Sequence, residues 1–297
     1  MNHLSNASTT TKDPPSISGS TEICAIIGDP IAHTLSPAVH NAAFRSLKMD
    51  LVYVPFRVRR NELGMAIEGF RSIGVIGINV TMPHKSRVLR FLDRIDDTAR
   101  EIGAVNTVAR KSTRLHGYNT DGKAAVTALS HLGSLSGRKA LILGAGGAAK
   151  AIAYQLSETA DSIVILNRTR SNGARLASKI TKWNGIPSHS YVLSGTNLRR
   201  EARRGNLLIN TLPAHVFPRF GEILIEEKIA EGDMLVMDAN YELKNDFLTE
   251  ARNSGAKAID GLEMLIEQAS LSFKLWTGVD APIDVMRKAA AEARAIR

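Results

Sequence analysis

The feature that most constrains this chain is a glycine-rich turn placed between an apolar run and a helix-like segment. Residues 139–143 have the pattern of a short buried strand, and Gly144-Ala145-Gly146-Gly147-Ala148-Ala149 follows directly. In the spacing Gly-x-Gly-x-x-Ala, the first glycine permits a tight turn, the second lets the backbone approach a pyrophosphate, and the small last residue lets helix pack on strand. The free N–H groups and positive dipole of the following helix favour phosphates. The sequence therefore predicts a dinucleotide-binding βαβ unit; the alternative is a plain glycine-rich turn.

The end of the next predicted strand indicates which dinucleotide the unit binds. In NAD-binding units an Asp or Glu about 20 residues downstream binds the ribose 2′-hydroxyl. Here the strand over residues 162–166 is followed by Asn167-Arg168-Thr169-Arg170, which contains no carboxylate. Two guanidinium groups and a hydroxyl suit a 2′-phosphate through charge-assisted hydrogen bonds. NADP(H) is therefore favoured over NAD, and the alternative is a solvated basic loop that does not discriminate.

Apolar runs elsewhere alternate with helix-like segments, which is typical of parallel α/β domains. The further runs that predict strands cover residues 23–27, 51–58, 75–80, 207–212 and 234–237. Pro37 fits the first turn of one intervening helix, and Asn61 is expected to cap another. Residues 105–119 have the pattern of a hairpin, and residues 122–132 that of a helix linking the two halves.

The chain length predicts two domains, because 297 residues exceed the usual size of one compact core. We expect an α/β fold with a central cleft between a mostly parallel N-terminal domain and a Rossmann-type domain. The expected divisions are a disordered tail over 1–20, a first domain over 21–122, a dinucleotide domain over 123–261, and helices over 262–297 that pack back on the first domain.

Composition excludes several classes of protein. No apolar stretch reaches the roughly 20 residues that a membrane span requires. Cys24 is the single cysteine, so a disulfide framework and a multi-cysteine zinc site are excluded, and its apolar run predicts a buried strand position. The net charge is +9, but the densest basic run, residues 199–204, includes Glu201 and no aromatic residue, which favours a solvated helix face. We expect a cytoplasmic protein without a metal or a nucleic-acid partner.

A dehydrogenase also needs an acid or base beside the bound alcohol. None of the five tyrosines is followed four residues later by lysine, so the short-chain Tyr-x-x-x-Lys pair is absent. Instead, Asn79-Val80-Thr81-Met82-Pro83-His84-Lys85 ends an apolar strand, at the edge of the sheet where α/β proteins bind ligands. With Asn106 and Asp121 this segment forms a polar set that suits a hydroxylated substrate. A cluster of caps and turns with a surface lysine is the alternative.

These motifs together resemble those of the shikimate dehydrogenase family, from about residue 23 to the C-terminal region. The motifs that carry the resemblance are residues 28–37 with His40-Asn41, then 79–85, 103–107, 119–122, 144–148, 167–169 and 261–268. The resemblance implies reversible reduction of 3-dehydroshikimate to shikimate by NADPH, in the pathway to chorismate and the aromatic amino acids. It implies a small-molecule substrate and a monomer or homodimer.

The resemblance also implies a role for each matching residue. Lys85 and Asp121 correspond to the catalytic pair, with Lys85 exchanging the proton at the C3 oxygen of the substrate. Substrate contacts are implied for Thr34, Ser36, Thr81, Asn106, Asp121, Tyr241 and Gln268. Cofactor contacts are implied for Asp97, Gly144, Ala145, Gly146, Gly147, Ala148, Asn167, Arg168, Thr169 and Gly261.

Three positions depart from the family pattern. Thr34 stands where the family often has serine, which keeps the hydroxyl and adds a methyl group. Asn210-Thr211-Leu212-Pro213 replaces a segment of the type Asn-Ala-Thr-Ser, and Leu243 stands where proline is common. The rival hypotheses are a quinate/shikimate dehydrogenase that uses NAD and a non-catalytic regulator that binds shikimate-like acids. A third, a glutamyl-tRNA reductase, requires a cysteine nucleophile, which the strand position of Cys24 disfavours.

Overall fold

The computed structural model describes residues 17–213, 215–216, 218–229, 232–241 and 245–296. Most of the predicted N-terminal tail, residues 1–16, and Leu243 lie outside the described residues. The described chain forms two six-stranded sheets, each covered by helices, so the predicted α/β class is confirmed. Among these residues no helix is both long and apolar enough to cross a membrane. The same residues contain no group of three His, Cys, Asp or Glu side chains that could hold a metal ion.

The first sheet combines a parallel core with an antiparallel hairpin. Its strands have the order β2-β1-β3-β5-β6-β4; β3 pairs antiparallel with β5, and β5 pairs antiparallel with β6. The elements are β1 Glu22–Gly28, α1 Ser36–Ser46, β2 Leu51–Arg57, α2 Leu63–Ser72, β3 Gly77–Val80, a 3₁₀ turn Val88–Phe91, β4 Arg94–Ile95, α3 Asp97–Ile102, β5 Thr107–Lys111 and β6 Arg114–Tyr118.

The second sheet is parallel throughout and has the order β12-β11-β10-β7-β8-β9. The strand order reverses between β7 and β10, and ligands of such sheets bind beyond the carboxyl ends of the strands at that reversal. The elements are α4 Asp121–Ser130, β7 Lys139–Leu143, α5 Gly147–Leu156, β8 Ser162–Asn167, α6 Arg170–Asn184, β9 Ser188–Val192, α7 Gly195–Ala202, β10 Leu207–Asn210, α8 Pro218–Glu226, β11 Leu235–Asp238, α9 Asp246–Asn253 and β12 Lys257–Asp260.

The last two helices return to the first sheet. Helices α10 (Gly261–Thr277) and α11 (Ile283–Ala295) follow β12 without another strand. Ile266 and Phe273 of α10 and Met286 of α11 share an apolar core with Val39 and Phe44 of α1. Burying such side chains stabilises the fold by about 1.5–3 kcal/mol each. The turn at Gly261 therefore lies where the chain passes from the second sheet back to the first.

Several sequence-based expectations about local structure are confirmed. The strand over 139–143, the hairpin and the linking helix are present, and Pro37 occupies the first turn of α1. Cys24 is fully buried in β1, and burial raises the pKa of its thiol. The run 199–204 covers the end of α7, and its four arginines form ion pairs with Glu201 of the same run and with Glu227.

The predicted cap at Asn61 is wrong. Helix α2 begins at Leu63 with Glu62 in the cap position, and no side chain accepts a hydrogen bond from its first turn. Three strands were also missed by the hydrophobic pattern: β4, β9 and β12. Each lies at the edge of its sheet or is only partly buried, so its sequence lacks the continuous apolar run of a central strand.

Candidate active site

A cavity of about 690 Å³ is lined by side chains from both halves of the molecule. Every residue predicted to touch substrate lines it: Thr34, Ser36, Thr81, Lys85, Asn106, Asp121, Tyr241 and Gln268. Of the residues predicted to bind cofactor, Ala148 and Gly261 line the same cavity. The fold thus brings together residues from separate segments at one cleft.

Lys85 and Asp121 form the closest charged pair in this cavity. The Lys85 Nζ donates to Asp121 Oδ2 at 2.6 Å, with the two side chains 19% and 5% exposed. Asp121 is the first residue of α4, where the positive end of the helix dipole stabilises a carboxylate. Its other oxygen, Oδ1, accepts a hydrogen bond from Asn106 Nδ2 at 2.9 Å. Both carboxylate oxygens are therefore occupied, and the position of the Lys85 ammonium is well defined.

The backbone that presents Lys85 is anchored on both sides. His84, directly before it, is fully buried and its Nε2 lies 2.7 Å from the Val58 carbonyl oxygen. The Val105 N–H donates to the Lys85 carbonyl at 2.8 Å. A rigid support of this kind reduces the reorganisation needed before proton transfer.

Amide side chains extend the network across the cavity. Asn106 Nδ2 also donates to Thr120 Oγ1 at 2.8 Å, and it lies 3.3 Å from Gln268 Oε1 of α10. Gln268 Nε2 in turn donates to the Leu265 carbonyl at 3.1 Å. The two amides consequently have defined orientations, and both residues line the cavity.

The far side of the cavity presents hydroxyl groups. Thr34 Oγ1 donates to Ser36 Oγ at 3.1 Å and accepts from the Ser36 N–H at 3.2 Å. Leu35 holds the cap position of α1 and Ser36 is its first residue, so Ser36 is not the cap of this helix. Tyr241, whose hydroxyl lies 3.5 Å from the His33 carbonyl oxygen, completes this side.

A buried polar layer that the sequence motifs only partly indicated lies beneath these groups. Tyr53 donates from its hydroxyl to Asn79 Oδ1 at 2.7 Å, and Asn79 Nδ2 lies 3.1 Å from Ser272 Oγ of α10. Burial raises the pKa of the Tyr53 phenol well above its usual value. His40 stacks on the Tyr53 ring with 4.4 Å between centroids, and burial lowers the pKa of His40 to about 3. Tyr53 gave no signal in the sequence because it lies in an ordinary strand.

The glycine-rich turn fits a dinucleotide on steric grounds. Gly144 has φ of +113°, a conformation that strains other residues, and a Cβ there would collide with Thr211. Gly146 holds the cap position of α5 without a side-chain cap, and a Cβ there would meet nothing within 4 Å. No side chain therefore caps the first turn of α5, and uncapped N–H groups at a helix N-terminus can bind phosphate.

The same turn touches the catalytic candidate across the cleft. A Cβ on Gly147 would lie 3.1 Å from Lys85 Cδ. Lys150, one turn into α5, has its Nζ 3.5 Å from Ser86 Oγ. Burial, reinforced by the neighbouring Lys179 and Arg175, lowers the pKa of Lys150. Lys150 carries no signal in the sequence, because a lysine on a helix is usually a solvated residue.

The segment 210–213, which departs from the family pattern, supports the glycine turn. Thr211 Oγ1 donates to the Leu143 carbonyl at 2.7 Å, beside Gly144. Asn210 Nδ2 donates to Asp238 Oδ1 at 2.7 Å, and burial raises the pKa of Asp238. Pro213 lines the cavity.

The segment predicted to read the 2′-phosphate lies on the surface at the end of β8. Asn167 Nδ2 donates to the Thr169 carbonyl at 2.9 Å, while Arg168, Thr169 and Arg170 are exposed. Neither arginine forms an ion pair with any residue that the structure describes. Asp97, in contrast, is 94% exposed, pairs with Arg100 at 2.6 Å, and does not line the cavity. Asp97 thus lies outside the cavity lining, as do Gly144–Gly147 and Asn167–Thr169.

Three family models match the chain in order along its length. They are described as the shikimate dehydrogenase substrate binding domain over residues 26–108, shikimate / quinate 5-dehydrogenase over residues 126–192, and the shikimate 5′-dehydrogenase C-terminal domain over residues 261–291.

Curated proteins and solved structures are similar over nearly the whole chain. The shikimate dehydrogenase (NADP(+)) of Methanopyrus kandleri is 39% identical over 93% of this chain and 97% of its own length. A crystal structure of a shikimate dehydrogenase in complex with NADP+ has a TM-score of 0.83 at 35% identity, covering 94% of this chain and 97% of that one. A structure from Listeria monocytogenes in complex with shikimate and NAD has a TM-score of 0.83 at 32% identity, covering 92% and 97%.

Proposed function

The chain belongs to the shikimate dehydrogenase family, and from that premise we propose that Lys85 and Asp121 are its proton-transfer pair. The activity is that of an NADP-dependent oxidoreductase, the reversible reduction of 3-dehydroshikimate to shikimate. The family implies a place in chorismate and aromatic amino-acid biosynthesis. The observation that carries the proposed roles is the 2.6 Å contact between Lys85 Nζ and Asp121 Oδ2, inside a cavity that Gly261 and Ala148 also line.

Lys85 and Asp121 have different proposed roles at the C3 oxygen of the substrate. In the direction of reduction, the ammonium of Lys85 donates a proton to the substrate carbonyl oxygen, and in the reverse direction the amine accepts it. Asp121 holds the Lys85 Nζ in place and accepts a hydrogen bond from a neighbouring substrate hydroxyl. NADPH, when bound, supplies the hydride to the carbon.

The remaining polar side chains orient the substrate. Thr34 and Ser36 lie together, 3.1 Å apart at their hydroxyl oxygens, and would donate to the carboxylate. Thr81, Asn106 and Gln268 would bind the ring hydroxyls, and Tyr241 would contact the same ligand. Because these groups already hydrogen-bond to one another, substrate would enter an ordered site.

The proposed cofactor contacts are made by the glycine-rich turn over residues 144–148 and by the basic segment over residues 167–169. The backbone from Gly144 to Ala148 would bind the pyrophosphate, and Gly261 would approach the nicotinamide. Arg168 with Asn167 and Thr169 would hold the 2′-phosphate, which is supported by the exposure of Arg168. Asp97 stays in the proposed set of cofactor contacts on the motif resemblance alone, because its exposed carboxylate pairs with Arg100 in the structure.

We also propose a cellular location and an oligomeric state. Residence in a reducing cytoplasm is supported by the burial of the single cysteine, Cys24, and a monomer or homodimer by the completeness of the cavity within one chain. Light scattering on the purified protein tests the second feature. A mass of three or more chains would contradict it.

A spectrophotometric assay tests the proposed function. Mixing the protein with shikimate and NADP should produce NADPH, and the Lys85→Ala variant should produce it far more slowly. Folded protein that forms no NADPH from this pair would contradict the enzyme hypothesis and would favour the non-catalytic regulator.

The second candidate is a quinate/shikimate dehydrogenase that uses NAD. It is supported by the family model described for both acids and by a similar structure that contains NAD. The missing carboxylate after β8 and the exposed Arg168 favour NADP instead. Comparing the rates with both acids and both dinucleotides separates the two candidates.

A further inference from the structure

Arg294, near the end of α11, lies at the cavity although none of the sequence motifs includes it. Its side chain is 27% exposed and lines the same cavity as Thr34 and Ser36. Among the described lining residues, Lys85 and Arg294 are the lysine and arginine side chains. Lys85 pairs with Asp121, which also lines the cavity, whereas Asp260, the partner of Arg294, does not line it. Among the described residues, Arg294 thus adds a positive charge to the lining that no lining carboxylate pairs with.

The guanidinium of Arg294 is held from outside the cavity. Its Nη1 donates to Asp260 Oδ2, and Asp260, which does not line the cavity, also caps α10 by accepting from the Leu262 N–H at 3.0 Å. A guanidinium carries five N–H donors, and this is the one hydrogen bond that it makes among the described residues. The arrangement fixes the planar group while leaving donors for a bidentate contact with a carboxylate.

The substrate of the proposed function supplies a reason for a cation at this place. Its carboxylate would meet hydroxyls from Thr34 and Ser36, and enclosing an anion without a charged partner is costly. Lys85 has its carboxylate partner, Asp121, inside the cavity, whereas the partner of Arg294 lies outside the lining. Helix α11 packs on α1, which begins at Ser36, and Ala293 contacts the apolar cluster that includes Leu35. Arg294 thus belongs to a helix that packs on the element carrying Ser36, and both residues line the cavity.

We propose that Arg294 is a specificity-determining residue that pairs with the carboxylate of the substrate, an inference that rests on the proposed function. The competing explanation is structural: the Arg294–Asp260 pair ties α11 to the start of α10. The chain offers a matched control for that explanation. Arg287 on the same helix pairs with Glu263 of α10 at 3.3 Å and does not line the cavity.

The test compares shikimate with its uncharged methyl ester in the wild-type protein, Arg294→Met, Arg294→Lys and Arg287→Met. The measured quantity is the ratio of kcat/KM for the acid to kcat/KM for the ester. Arg294→Met should lower this ratio by roughly 10- to 100-fold, the range for a hydrogen bond between charged groups, mainly through a higher KM for the acid. Arg294→Lys should restore part of the ratio, and Arg287→Met should keep it. Thermal unfolding of both methionine variants measures the structural loss of each pair.

Each outcome decides between the hypotheses. If Arg294→Met lowers the rates for acid and ester equally, or if Arg287→Met changes the ratio as much, the carboxylate contact is wrong. Should a variant turn over too slowly, calorimetric titration with the acid and the ester gives the same comparison as a ratio of Kd values. A wild-type protein that oxidises neither compound contradicts the proposed function itself, whereas an active wild type with an Arg294-independent ratio contradicts this inference alone.

Discussion

The two sides of the cleft are built differently. On the substrate side Lys85, Asp121, Asn106 and Gln268 hydrogen-bond to one another, and the last three are buried. On the cofactor side the Gly144–Gly147 turn faces open space at Gly146, and Arg168 stands on the surface without an ion pair among the described residues. The polar groups of the substrate side thus hydrogen-bond to one another, whereas Gly146 and Arg168 on the cofactor side lack such side-chain contacts among the described residues.

The difference follows from what each side has to do. Proton transfer depends on distances set to within fractions of an ångström, so its groups need partners that hold them in place. Dinucleotide binding depends on backbone N–H groups and on charges that water can solvate until the phosphates arrive. Substitutions on the substrate side should therefore change turnover, and substitutions on the cofactor side should change dinucleotide affinity.

The largest effect is expected at Lys85. Lys85→Ala should lower kcat by roughly 10² to 10⁴, the usual range for removing a general acid–base group. Shikimate should still bind, because the hydroxyl and amide groups remain, and calorimetry measures that binding. Lys123→Ala, which removes an exposed lysine of α4, is the control and should behave like the wild type. Normal turnover by Lys85→Ala would move the chemistry to another residue.

A smaller effect is expected at Arg168. Arg168→Ala should raise the KM for NADP by roughly 10- to 100-fold, because a charge-assisted contact with the 2′-phosphate is lost. The KM for NAD should change little. Lys182→Ala removes an exposed cation of α6 and controls for the general loss of positive charge. Equal changes for both dinucleotides would contradict a 2′-phosphate contact.

A substitution at Gly146 tests whether the glycine-rich turn binds the pyrophosphate, without disturbing the fold. A Cβ there would meet no protein atom within 4 Å, and φ is −78°, so Gly146→Ala should be as stable as the wild type. The added methyl group would obstruct the pyrophosphate and weaken NADP and NAD alike, by about fivefold or more for overpacking. Gly69→Ala on α2, which also meets nothing within 4 Å, is the matched control. Unchanged affinity in Gly146→Ala would place the pyrophosphate elsewhere.

His40, which stacks on Tyr53 below the substrate-binding residues, is expected to have the smallest effect on turnover. Its substitution should instead change how stability depends on pH. Burial lowers the pKa of His40 from 6.5 to about 3, whereas in the unfolded chain it returns to near 6.5. Between these values the unfolded state binds one more proton, so His40 makes stability fall with falling pH, by at most about 1.4 kcal/mol per pH unit.

Denaturant unfolding at several pH values measures this slope. His40→Phe should flatten the dependence of the unfolding free energy on pH below 6.5, while His189→Phe, at an exposed position, should leave it unchanged. A wild-type slope in His40→Phe would show that other groups carry the acid sensitivity.

Sequence reasoning predicted more about the cofactor side than about the connections within the substrate side. The glycine turn could be predicted because Gly144, Gly146 and Ala149 lie close together in the sequence and directly follow an apolar strand. Four strands of the second sheet, β7, β8, β10 and β11, were found for the same reason: central strands buried on both faces form continuous apolar runs. Edge strands such as β9 lack that run and were missed.

The contacts that complete the substrate side join residues far apart in the chain, and periodicity carries no information about them. Asn106 meets Gln268, and Asn79 meets Ser272, because α10 returns to the first sheet. Arg294 reaches the cavity for the same reason, through α11. Motif resemblance supplied the roles of Lys85 and Asp121, but the hydrogen bond between them required the fold.

The most direct test of the account is the initial rate of the wild-type protein with shikimate or quinate, each paired with NADP or NAD. The similarity to NADP-dependent shikimate dehydrogenases predicts a higher kcat/KM with shikimate than with quinate. The proposed contact of Arg168 with the 2′-phosphate predicts a higher kcat/KM with NADP than with NAD, so shikimate with NADP should give the highest value of the four. Quinate at a rate equal to that of shikimate would contradict the substrate assignment. NAD at a rate equal to that of NADP would contradict the role given to Arg168.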